Sequence, residues 1–201
     1  MSTRDRSDST GRLAVFAALA ATFDLAHDVL DQWGQSHWQA RNKDLRGRRR
    51  VYRDGGSVDE DPGRARAGER TLTAGTLGRC AAAAHVGVYS VGQTAAAVLV
   101  TRALGYRVPT PALAAGAALN AVTHVVLDRR QPLFVLARAA GKGDYLDTVT
   151  VMRTGDGPPA ETGPGTATFE LDRSAHRAIG LLAALTTAWL ATRASKHRRR
   201  R

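Results

Sequence analysis

Three pairs of ionisable residues stand four positions apart along this chain: His27 with Asp31, His124 with Asp128, and, in reverse order, Asp172 with His176. On a helix each residue advances about 100°, so side chains four apart meet on consecutive turns. A fourth histidine, His85, is followed at the same spacing by Tyr89 and then Gln93. Imidazoles and carboxylates presented this way are ligand geometry for zinc, iron or manganese, as in helical bundles that bury a metal. Some of the aspartates can instead accept the imidazole N–H and fix its tautomer. The bland reading of the same residues is a set of interhelical hydrogen bonds holding an alanine-rich bundle together. With one cysteine, Cys80, the chain has no thiolate cluster and no internal disulfide, so any ligands must be nitrogen and oxygen.

The elements that would position these residues are four apolar segments, at about Arg12 to Gln32, Leu77 to Leu104, Pro111 to Asp128 and Leu171 to Thr192, each carrying one of the four histidines. The pattern predicts an all-α fold, a polytopic membrane helical bundle of about four transmembrane helices. Residues 1–201 form a single membrane-embedded helical domain, with flexible polar loops at 41–76 and 141–169 and a basic tail at 194–201. In the first helix Asp24, His27, Asp28, Asp31 and Gln35 share a sector of about 100°, and the opposite face is apolar. If the helices alternate in direction, all four histidines fall on one side of the bilayer, in one layer. Asn120 lies one turn before His124 on the same face. The last segment is uninterrupted only between Arg177 and Arg193, roughly 22 Å, which snorkelling arginines can extend. A shorter apolar piece, Pro132 to Ala140, is expected at the surface. His37, among Trp33, Trp38 and Gln39 past the helix end, and His197, in the tail, are expected to be solvated.

A net charge of +11 ordinarily points to nucleic acid or an anionic membrane. Here there are three lysines beside twenty-six arginines, and the arginines crowd into loops and the tail RASKHRRRR rather than forming a stripe on one helix. The expected partner is the lipid bilayer, with the arginine-rich loop and tail meeting anionic lipid. Nucleic acid is disfavoured, and no protein partner is indicated. MSTRDRSDSTGR shows no cleavable signal, so the first helix is expected to be kept and the location to be the cell membrane, multi-pass. Basic residues favour a cytoplasmic histidine face. No P-loop, dinucleotide fingerprint or nucleophile motif is present. The leading expectation is therefore a His/Asp centre for a divalent metal, with a metal-dependent hydrolase as its enzymatic form and Asp28 as a candidate general base. The alternatives are a non-catalytic membrane component whose His/Asp pairs are structural, and a soluble basic helical regulator contacting nucleic acid through RGRRR and RRRR.

The stretches HDVLDQWGQSHWQARNKD, AAHVGVYS, AVTHVVLDRRQPL with GKGDYLD, and GTATFELDRSAH resemble, in order and content, the bacterial multi-pass membrane proteins grouped as domain of unknown function 3307, in particular its actinobacterial branch. The resemblance runs from Ala26 to about Leu190. It implies membrane embedding and the importance of His27, Asp31, His85, His124, Asp128, Asp172 and His176, and it lends no activity. Two departures stand out: a long polar insert from Arg48 to Arg70, and Arg173 where glutamine is usual. A guanidinium beside Asp172 is one that this carboxylate could pair with instead of a metal.

Overall fold

The computed structural model describes residues 3–59, 68–153 and 157–198. In chain order the elements are α1 (Thr3–Gln32), α2 (His37–Asn42), β1 (Arg50–Val51), β2 (Leu72–Thr73), α3 (Ala74–Ala103), α4 (Thr110–Asp128), α5 (Gln131–Ala139), α6 (Gly143–Thr148) and α7 (Ala167–Arg198). The long helices close a ring, α1 packing on α3 and α7, and α4 packing on the same two.

Alanine lets these helices approach closely. Val15, Leu19 and Phe23 of α1 pack with Ala97 of α3 and with Ala183, Ala184 and Ala188 of α7. Where α4 meets α7, Gly116 lies so near the Thr187 hydroxyl that a Cβ would overlap it. Buried hydroxyls are satisfied within their own helices, Thr187 on the Ala183 carbonyl at 2.8 Å and Thr101 on Ala97 at 2.7 Å. An apolar medium demands this internal satisfaction.

The outer faces are apolar as well. Leu25 and Val29 on α1, Val91 and Leu99 on α3, Val122 and Val126 on α4, and Leu182 and Leu185 on α7 are all exposed. Three helices are long and apolar enough to cross a membrane, Ser9–Gln32, Ala74–Ala103 and Thr110–Asp128, and in each only 28% of the apolar window is buried inside the bundle. The remaining faces suit lipid. The fourth expected span differs: α7 is the longest helix, at 32 residues, yet it is not among the three. Arg173, His176 and Arg177 occupy its first turns and shorten its apolar stretch.

The polar segments hold more structure than their composition predicts. In the first, α2 begins with a capping box in which Ser36 and Gln39 exchange side-chain and backbone bonds. β1 then pairs antiparallel with β2, Arg50 opposite Thr73. Val51, Ala74 and Leu77 form a small second core with Trp38 and Leu45 against it. Trp38 thus belongs to a packed cluster, its indole donating to the Arg53 carbonyl at 2.7 Å, whereas Trp33 and His37 are exposed. In the second segment α6 follows the amphipathic α5, which buries Leu133 and Ala137 and exposes Val135 and Leu136. Residues 60–67 of the insert, 154–156 of the second loop, and the side chains of the basic tail, His197 included, lie outside the described residues.

Candidate metal centre

The C-terminal halves of α1 and α4 and the N-terminal halves of α3 and α7 meet in one layer, and the four helix histidines are buried there: His27, His85, His124 and His176. His85 Nε2 lies 3.2 Å from His124 Nε2, 3.3 Å from Asp31 Oδ1 and 3.6 Å from Asp128 Oδ2. His124 Nε2 is also 3.6 Å from Asp128 Oδ2, and His176 Nε2 is 3.9 Å from Asp128 Oδ1. Asp128 is therefore the hub. Two sets, Asp31 with His85 and His124, and His124 with Asp128 and His176, bring ligand atoms within 4.8 Å of one another.

The hydrogen-bond inventory of this layer is unbalanced. His176 Nδ1 is 2.8 Å from the Asp172 carbonyl, which can only accept, so Nδ1 carries the proton and Nε2 presents a lone pair. That Nε2 is buried without a hydrogen-bond partner, as are both Asp128 carboxylate oxygens and His124 Nδ1. Lys43 Nζ stands 2.9 Å from Asp128 Oδ1, a close ion pair whose alignment is not that of a hydrogen bond. Bare acceptors facing each other in a dry layer are costly unless a proton or cation lies between them.

Two of the seven expected residues stand beside these sets rather than in them. His27 stacks on His176, ring centroids 5.4 Å apart, and its Nδ1 is 3.1 Å from the Tyr89 hydroxyl. Tyr89 in turn meets Gln93 at 3.0 Å, and Gln93 meets Asn120 at 2.7 Å, so a buried polar chain backs the histidine layer. Asp172 reaches His176 Nδ1 with its carbonyl at 2.8 Å and with Oδ2 only at 3.6 Å, from behind the ring. Arg173 does not pair with Asp172. It crosses to α1 and holds Asp28 through two bonds, at 3.1 and 2.6 Å, while Arg177 holds Asp24 in the same way. A carboxylate gripped by a guanidinium fork is a poor general base, so Asp28 belongs to the α1–α7 clamp.

Lys43 is the residue that sequence reasoning passed over. It closes α2 as its C-cap, and its backbone is fixed by Arg129, whose guanidinium donates to the carbonyls of Lys43 at 2.8 Å and Leu45 at 2.7 Å. The next residue, Arg130, pairs with Asp44 at 3.1 Å. The Asp-Arg-Arg end of α4 thus aims Lys43 at Asp128 and, at 3.9 Å, Asp31. Burial alone would lower the lysine pKa, but Asp128 and Asp31 outweigh it and hold the ammonium above the ordinary lysine range. The available signal was compositional: in a chain with twenty-six arginines, each of the three lysines is an exception.

No family model, curated protein or solved structure matches the chain.

Proposed function

We propose that the chain is a multi-pass protein of the cell membrane, akin to domain of unknown function 3307, whose helix bundle holds a divalent metal, and that it acts as a metal-dependent hydrolase. The observation that carries the reading is the buried set of unsatisfied acceptors, Asp128 Oδ1 and Oδ2 with His176 Nε2, within reach of His85 and His124. Nitrogen and oxygen donors in this mixture suit zinc, iron or manganese. His85, His124, His176, Asp128 and Asp31 would hold the ion, Asp172 would fix the His176 tautomer, and His27 would support the layer through ring stacking. A divalent ion there supplies a Lewis acid and an acidified water, the chemistry of hydrolysis. Arg173 and Arg177 keep α1 and α7 together beside the centre.

Metal analysis of protein purified in detergent tests this directly, with about one or two equivalents of ion expected from two sets that share His124. Bound metal should fall as pH drops through ~6.5, because a ligating imidazole must be neutral and protons compete with the ion. Protein without stoichiometric metal at neutral pH would leave the non-catalytic reading, in which the same pairs only lock helices. For the membrane assignment, the chain should stay with the pellet through an alkaline carbonate wash, given three helices of spanning length. Recovery as a soluble monomer would favour the basic, nucleic-acid-contacting alternative.

A further inference from the structure

A cavity of about 70 Å³ adjoins the centre, lined by Asp128, Lys43, Arg130, Thr168 and Asp172 among others. Since one water occupies about 30 Å³ of liquid, it admits a few waters or one compact tetrahedral group, not a large organic body. Two features give it a preference. Thr168 stands in the first turn of α7, whose N-terminal amides and dipole favour an anion. Opposite in sequence and charge is Arg130, and its backbone is unusual.

Arg130 has φ +54° and ψ −42°, and the amide of Gln131 closes on the Arg129 carbonyl at 2.6 Å. This is a γ-turn of the strained hand, a conformation that glycine adopts far more cheaply. It is the only non-glycine residue with positive φ among the described residues. Arginine in such a turn points to a need for its side chain, and the guanidinium lines the cavity.

The charge depends on the metal. Without an ion, the carboxylates of Asp128, Asp172 and Asp44 outnumber the cations of Lys43 and Arg130, so the cavity repels anions. One divalent ion at Asp128 reverses the sign. A monovalent carboxylate would use two acceptor oxygens, whereas a phosphoryl group offers three, matching donors that converge from α2, the α4–α5 turn and α7.

We propose that this cavity seats the phosphoryl group of a substrate, held by Arg130, Lys43 and the first turn of α7 over the metal at Asp128. The proposal rests on the metal-centre reading and names its substrate class. The cavity residues follow directly on the ends of α1 and α4 or open α7, placing the group at headgroup depth, so its source is either a lipid headgroup or a soluble phosphate ester.

The test uses the full chain in phosphatidylcholine nanodiscs, loaded with Mn²⁺, with radiolabelled inorganic phosphate in equilibrium dialysis. Saturable binding that requires Mn²⁺ is expected. Arg130→Gly and Thr168→Val should each weaken it at least tenfold with bound Mn²⁺ unchanged. Because glycine relieves the turn, Arg130→Gly should melt no lower than wild type, so lost binding is not lost folding. Phosphatidic acid in the disc displacing phosphate would identify a headgroup, and displacement by soluble glycerol phosphate alone would identify a soluble ester; either supports the proposal. Mn²⁺ bound without phosphate, phosphate bound equally without Mn²⁺, or variants that bind as wild type would overturn it and leave the metal centre standing. Absence of Mn²⁺ binding would remove both.

Discussion

His85→Ala, His124→Ala, His176→Ala and Asp128→Ala should each weaken metal binding about a hundredfold or more, roughly 2.8 kcal/mol, measured by competition with a chromogenic chelator. Any two combined should cost little more than one. Residues acting as a unit are non-additive, and these four share Asp128 as a common neighbour at 3.6 to 3.9 Å. Asp172→Asn should cost less, about 10- to 100-fold, because its carboxylate stands behind the His176 ring. His27→Ala should fall below both, since His27 Nδ1 is engaged with Tyr89 and the residue lies in neither ligand set. Exposed His37 serves as the neutral control. Additive losses of thermal stability, with metal content unmoved, would identify the layer as packing and end the hydrolase reading.

The convergence of the four histidines was legible before any coordinates because it depends only on helix periodicity and alternating direction. Helices of about twenty residues that are apolar on their outer faces leave few ways to place a His/Asp face other than inward. Spacing alone also gave the Asp128–His124 contact. It did not give the closer partners of Asp31, which pairs across helices with His85 at 3.3 Å rather than only along α1 with His27. Periodicity identifies which residues share a face, and the rotation of each helix about its axis decides which neighbour they meet.

Asp28 shows the limit from the other side. It lies on the same face as His27 and Asp31, and nothing in the local sequence separates it from them. What separates it is Arg173, 145 residues away, whose fork takes both carboxylate oxygens. The departure from the usual glutamine at that position was visible, but its partner was not. The polar segment after α1 was harder still. Its composition resembles a loop, while its role depends on a capping box at Ser36 and Gln39, a two-residue ribbon and an arginine reaching from α4, and none of these has a long repeating signature. Lys43 could be placed only through them.

Lys43→Met should destabilise the metal-free protein strongly and the metal-loaded protein little. In the free protein the ammonium is the close cation for Asp128, at 2.9 Å, in a pair whose side chains are 17% and 1% exposed. Removing one partner of such a pair costs about 3–5 kcal/mol, because the other charge is left buried and unpaired. A divalent ion offers Asp128 a replacement. Metal should therefore raise the melting temperature of Lys43→Met in detergent by more than it raises that of wild type, and the two loaded proteins should converge. Arg129→Gln should show the same pattern more weakly, since it frees the carbonyls of Lys43 and Leu45 and lets the lysine swing without deleting its charge. Equal metal-induced shifts in wild type and Lys43→Met would mean that the ion and the lysine do not share Asp128. The centre would then have to be built on Asp31, His85 and His124 alone.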